Sequence, residues 1–158
     1  MNTSTNIAPV FSAKDLNELN YVDMAQKVIE QHYQKEGRKT ITTNQIRNFL
    51  ELTNELREQL RTDHVDKLTT EMMSQVQYIK LRLVYATGRD KDGKGVFEFM
   101  QRSNLIECLD TVGDSPQQYL LVCKYLEALT AYHKWYETKK ELDDAAERAN
   151  NRPNQRRY

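Results

Sequence analysis

The pair Ser115-Pro116 restricts the fold of this 158-residue chain more than any other feature, because a capping hydroxyl followed by proline at the first helical position is a strong helix start. The helix it opens runs to about Glu147, a rod of roughly 45 Å at about 1.5 Å per residue. A rod of that length needs partners along it, and the rest of the chain has helical patterns to supply them. Only 5 Gly and 3 Pro are spread over the whole length, a scarcity that suits long helices better than short strands joined by turns. No segment alternates apolar and polar residues with a sustained period of two. The expected fold is all-α, a single compact bundle of about five helices with a long C-terminal helix.

Ser12 can cap a first helix from about Ala13 to Tyr33. Its Leu16, Leu19, Val22, Ala25, Val28, Ile29 and either His32 or Tyr33 recur at spacings of three and four, and Gly37 follows as a stop. Thr42-Thr43-Asn44-Gln45 fits a capping box, after which Ile46, Phe49, Leu50, Thr53, Leu56 and Leu60 form the buried stripe. A third helix from about Val65 to Ala86 or Thr87 is apolar nearly all round, the pattern of a central element. After Gly88, Gly93 and Gly95, a shorter helix from about Val96 to Leu109 turns Val96, Phe97, Met100, Leu105, Ile106 and Leu109 inward, and Gly113 ends it. The expected organisation is a flexible N-terminus over 1–11, a helical bundle domain over 12–147 and a basic flexible tail over 148–158.

With 39% hydrophobic and 29% charged residues the chain has a globular composition. Lys+Arg 23 balances Asp+Glu 23, so no bulk charge draws it to nucleic acid, and such a role would need its cations gathered on one face. The N-terminus lacks the charged and apolar regions of a signal peptide, and no apolar run approaches the roughly 20 residues that span a bilayer. A cytoplasmic protein without membrane contact is expected. Cys108 and Cys123 fall at helical-core spacing and read as buried thiols.

The loop from Asp90 imitates a calcium-binding EF-hand, with Asp90, Asp92 and Gly95 in place. Lys94 stands where an oxygen ligand is needed and Gln101 where the bidentate Glu belongs, so the loop reads as a polar connection. His32, His64 and His133 form no metal-ligand spacing, and there is no phosphate-binding glycine loop or serine nucleophile elbow. No enzyme, metal site or cofactor is expected.

The cations carry more information. On a helix, residues three, four, seven and eleven apart share a face. Tyr78, Arg82, Tyr85 and Arg89 fall on such a line, opposite the inward stripe Met72, Val76, Ile79, Leu83 and Ala86, while Lys80 lies off the ridge. Between residues 80 and 102, six cations (Lys80, Arg82, Arg89, Lys91, Lys94, Arg102) face three acids (Asp90, Asp92, Glu98). One reading is a solvated surface with arginines paired to neighbouring acids. The other is a ridge for a polyanion, with guanidinium groups on phosphates and tyrosines against riboses or bases.

Three stretches in order, ITTNQIRNFL (Ile41–Leu50), IKLRLVYATGR (Ile79–Arg89) and LEALTAYHKWYE (Leu126–Glu137), resemble the small helical subunit of type III-A CRISPR effector complexes, the Csm small-subunit family. The resemblance covers most of the chain between Thr40 and Glu137. It implies a non-catalytic, RNA-binding subunit of an antiviral ribonucleoprotein, present in several copies and working without sequence specificity. Guide RNA and target RNA are its implied partners, together with copies of itself, the backbone subunits and the large polymerase-like subunit. Carried over position by position, Arg47, Lys80, Arg82, Arg89 and Lys134 become RNA-facing cations, and Tyr78 and Tyr85 of the ridge add stacking or support by helical spacing alone. Lys91 and Lys94 are possible additional contacts outside the family pattern. The alternatives are a helical scaffold with no RNA contact, for which Tyr132, Trp135 and Tyr136 would be interface hot spots, or the equivalent small subunit of a type III-B complex.

Overall fold

A computed structural model describes residues 7–34, 40–89 and 95–153. A single 3-10 turn at Ala13–Asp15 precedes six helices: α1 (Tyr21–Tyr33), α2 (Thr43–Thr62), α3 (Thr70–Arg89), α4 (Gly95–Ser103), α5 (Leu105–Asp110) and α6 (Pro116–Asn150). Among the described residues there is no strand, so the all-α expectation holds, with the long C-terminal helix as its spine.

Local chemistry explains where the helices begin and end. Ser115 Oγ accepts the Gln118 amide at 3.1 Å with Pro116 at the first helical position, as the sequence requires. The Thr42 box is complete: its hydroxyl accepts the Gln45 amide at 3.2 Å, and Gln45 Oε1 accepts the Thr42 amide at 2.9 Å. The expected first helix is interrupted instead. Asn17 Oδ1 accepts the amides of Leu19 (2.9 Å) and Asn20 (3.1 Å), while Asn20 Nδ2 donates to the Asp15 carbonyl at 2.7 Å. These side-chain bonds replace helical ones and hold the chain open until Tyr21. The third helix starts at Thr70 rather than near Val65, with Thr69 Oγ1 accepting the Met72 amide at 3.2 Å. The expected fourth helix is two, because Asn104 sits at φ 55, in the left-handed region that asparagine tolerates. Its side-chain amide donates to the Phe11 carbonyl at 3.2 Å, tying the break to the N-terminal segment.

The centre is α6, against which α1, α2 and α5 pack. Tyr119 and Tyr125 are wholly buried on it, yet their hydroxyls donate to the carbonyls of Thr53 (2.8 Å) and Ser103 (2.7 Å). Burial on this scale is affordable because each polar tip is satisfied. By contrast α3, expected to be central, packs on α2, α4 and α5 and leaves Tyr78, Leu81, Val84 and Tyr85 exposed. The apolar count misled here: Met72, Val76, Ile79 and Leu83 are inside and Met73 and Ala86 are half-buried, while Tyr78, Leu81, Val84 and Tyr85 face out. Phe97, expected inward, is also exposed. Cys108 and Cys123 are free and buried, and burial pushes their thiols up to about 12 and about 11.

Two buried histidines join α1, α2 and α6 at one residue. His32 Nε2 accepts the Ile41 amide at 3.1 Å, and His133 Nε2 donates to the Ile41 carbonyl at 2.7 Å. Tyr33 Oη lies 3.1 Å from the same His133 nitrogen. A charged His32 ring would face a backbone N–H at one nitrogen and the Arg102 guanidinium, 3.3 Å from Nδ1, at the other. Burial first, then Arg102, pushes His32 down to about 4; burial also lowers His133. Both rings are neutral structural groups.

Candidate nucleic-acid interface

The cation ridge meets the rest of the fold along a groove between the first half of α2 and the last two turns of α3. The groove has a volume of about 730 Å³; its floor is apolar, with Phe49, Leu52, Ala86 and Val96. Arg82, Tyr85 and Arg89 form one wall, and Gln45, Asn48 and Glu51 line the other. α2 presents these polar residues because its core stripe, Ile46, Phe49, Thr53, Leu56 and Leu60, occupies the adjacent face. Arg82 and Arg89 stand seven residues apart, two turns and roughly 10 Å along the axis.

Arg82 is held by a tyrosine rather than by a described acid. Arg82 Nη1 donates to Tyr78 Oη at 3.3 Å, and its guanidinium carbon lies 6.0 Å from the Tyr78 ring centroid. Among the described residues neither Arg82 nor Arg89 has a carboxylate partner within ion-pair distance. Tyr85 is 64% exposed, so its ring is available to stack on a ligand. Among the described residues Glu51 is the one formal negative charge on the groove against two positive, which makes the described walls net cationic.

The other cations go elsewhere. Lys80, about 160° around α3 from Arg82, donates to Asp110 of α5 at 2.6 Å and is an interhelix ion pair. Arg47 is exposed on α2 but does not line the groove; it lies about 140° around the helix from Leu52. Lys134 is exposed on α6 and reaches Glu137 at 3.3 Å. Arg102 is buried, with Nη1 3.4 Å from Glu98 Oε2 and 3.3 Å from His32 Nδ1, so it belongs to the core. Lys91 and Lys94, with the 90–94 part of the EF-hand-like loop, lie outside the described residues. Among the described residues no group of three or more His, Cys, Asp or Glu could hold a metal, and no helix is long and apolar enough to cross a membrane.

Of the three aromatic residues singled out on α6, Trp135 is 55% exposed, while Tyr132 and Tyr136 are half-buried against the core. Tyr136 stacks on Tyr33 with centroids 6.0 Å apart and donates to Glu30 Oε1 at 2.6 Å, fastening α6 to α1. Sequence reasoning missed the α2 wall of the groove, Gln45, Asn48 and Glu51. Periodicity marks these residues as outward, and only the packing of α3 beside α2 shows what they face.

Comparison with known proteins places this architecture. The family model for Csm2 of type III-A matches residues 15–139. The protein described as "CRISPR system Cms protein Csm2" from Mycobacterium tuberculosis (strain ATCC 25618 / H37Rv) is 34% identical over 120 residues, covering 76% of this chain and 94% of the relative. The protein of that description from Streptococcus thermophilus is 30% identical over 122 residues, 77% of this chain and 94% of its own length. A third, from Enterococcus italicus, is 28% identical over 130 residues, covering 75% of this chain and 91% of that protein. With most of its helical bundle inside the family match, the chain belongs to the Csm2 family of type III-A CRISPR systems.

Proposed function

We propose that the chain is a non-catalytic structural subunit of a type III-A CRISPR ribonucleoprotein that contacts RNA through the α2/α3 groove. Arg82 and Arg89 take backbone phosphates, Tyr85 packs on a ribose or base, and the Gln45 and Asn48 amides supply neutral hydrogen bonds. One observation supports this most: two arginines without carboxylate partners among the described residues share a groove wall with a largely exposed tyrosine. Guide and target strands pair with each other, which leaves their backbones as the surface open to the groove. Recognition is therefore of backbone and shape, with sequence left to pairing between guide and target. Copies of the subunit stack along a cytoplasmic filament beside backbone subunits and the large polymerase-like subunit. The exposed Leu81 and Val84 of α3 give an apolar surface for such packing. Zero net charge suits this arrangement, since each copy adds a few contacts and binding accumulates across copies.

The test is RNA binding by the isolated protein across a salt series. Two phosphate contacts predict weak binding whose log K falls with log salt at a slope of about −1.4 to −1.8. A protein that binds no RNA at low salt, and co-purifies with effector subunits whether or not nuclease is added, would instead be a scaffold with no RNA contact.

A further inference from the structure

The α2/α3 groove does not stop at its arginines. A second hollow of about 770 Å³ follows it along the same two helices and shares Glu51 and Leu52 with the first. Together they form one trough from Arg89 back to Thr70, roughly 28 Å along α3. The floor is apolar throughout, with Phe49 and Ala86 at one end, Leu52 between, and Leu56 and Ile79 at the other. The walls are not uniform. On α3, Glu71, Gln75, Tyr78, Arg82, Tyr85 and Arg89 recur at four and three along one edge, which is acidic where the helix begins and cationic where it ends. The α2 edge is Gln45, Asn48, Glu51 and Glu55. The two helices run antiparallel along the trough, so the neutral amides share the arginine half and Glu55 shares the Glu71 half. Both walls therefore change sign at one level, between Tyr78 and Arg82.

Glu51, Glu55 and Glu71 are exposed, and among the described residues none of them has a cation within ion-pair distance. Glu127 and Glu137, which lie outside the trough, are paired with Arg57 and Lys134. Glu71 lies in the first turn of α3, where the helix dipole favours it, but Glu51 and Glu55 sit within α2 without that support. Like charges on facing walls repel each other and repel any polyanion that enters between them. Arg82 is the last trough-lining cation before the acids, and its guanidinium reaches back to the Tyr78 hydroxyl at 3.3 Å. A phosphate placed beyond Tyr78 would leave two arginines for three carboxylates.

We infer that Glu51, Glu55 and Glu71 close half of the trough to RNA, so that a backbone held by Arg89 and Arg82 leaves the surface at Tyr78 instead of running on between α2 and α3. The inference rests on the RNA reading of the groove and adds the limit of the RNA path, set by repulsion rather than by a further contact. The test compares oligouridine binding by the full chain and by Glu55→Gln/Glu71→Gln, each also carrying Ser74→Cys labelled with a benzophenone. Ser74 is exposed in the acidic half and both native thiols are buried, which confines the label to that position. Glu51 is left in place because it also lines the RNA half. In the otherwise wild-type chain, Tyr85 is expected to form ultraviolet adducts while the Ser74 label captures no RNA. Neutralising Glu55 and Glu71 should raise affinity about threefold at low salt, a gain that fades as salt screens the acids, and should bring RNA onto the label. Asp143→Asn/Asp144→Asn, an equal change of charge outside the trough, should leave the label unreacted. Capture by the label as readily before neutralisation as after it would overturn the proposal, as would a neutralised chain with unchanged affinity and an unreacted label. So would a neutralised chain that keeps the wild-type RNA path but no longer joins the type III-A complex, since the acids would then seat a basic protein segment. Bound RNA that never modifies Tyr85 would remove the groove reading itself, and this limit with it.

Discussion

Replacing Arg82 and Arg89 together by alanine is expected to lower target-RNA binding by the reconstituted type III-A complex roughly thirtyfold, taking each exposed guanidinium–phosphate contact at about 1 kcal/mol. The estimate is for one copy engaged, and a filament carrying several copies compounds it. The fold should survive the change. Among the described residues Arg82 donates only to the Tyr78 hydroxyl, and neither arginine stabilises the bundle through an ion pair with a described carboxylate. Lys80→Ala provides the contrast, because Lys80 is committed to Asp110 at 2.6 Å. Its loss should shift RNA binding little and cost less than about 1 kcal/mol of stability, as for other partly exposed pairs. Circular dichroism and binding isotherms on the same preparations separate the two effects.

The second large effect concerns stability. His32→Leu removes the acceptor of the buried Ile41 amide, and His133→Leu removes the donor to the Ile41 carbonyl. Each leaves one buried backbone group unsatisfied, at about 1–3 kcal/mol by denaturant unfolding. The pH dependence follows from the same geometry. Folding holds His32 at about 4 against an ordinary 6.5, so as pH falls the unfolded chain takes up the proton first. The stabilisation is complete above pH 6.5 and is lost as pH falls from there toward 4; the span corresponds to about 3 kcal/mol. His133, also lowered, acts in the same direction. The charged groups facing these rings are Arg102 and Glu98 from α4 and Glu137 and Lys134 from α6, with Tyr33 from α1. Unfolding curves between pH 7 and 4 should show the decline in the wild-type chain and a flatter profile in His32→Leu. A decline of equal size in both would remove His32 as its source.

Much of the bundle was legible in the residues, for identifiable reasons. Ser115-Pro116 and the Thr42–Gln45 box are local chemistry, complete within four residues, and both caps stand as read. What the sequence concealed was competition and neighbourhood. Asn17 and Asn20 take the amides that a continuous first helix would have used, and Asn104 breaks the fourth helix by entering a left-handed conformation. Both are side-chain effects that apolar periodicity does not register. An apolar surround predicts a central α3, but Leu81 and Val84 face outward and the core is built on α6.

The ridge of the candidate site was visible from helical spacing, and α3 does carry Arg82, Tyr85 and Arg89 on one wall. Spacing along a single helix cannot say which helix lies alongside. It therefore could not supply Gln45 and Asn48, tie Lys80 to Asp110, or separate Arg47 from the groove. The resemblance carried in three stretches agreed with the family match over residues 15–139, and it turned a candidate anion ridge into a candidate RNA ridge.

The central claim is that RNA lies in the α2/α3 groove, and ultraviolet cross-linking of the assembled complex with bound target RNA, read by peptide mass spectrometry, tests it most directly. The account predicts nucleotide adducts on this subunit concentrated at Tyr85 and the surrounding α3 peptide, and lost in the Arg82→Ala/Arg89→Ala variant. Adducts confined to other surfaces of the subunit, with the α3 peptide unmodified while target RNA is fully bound, would contradict it.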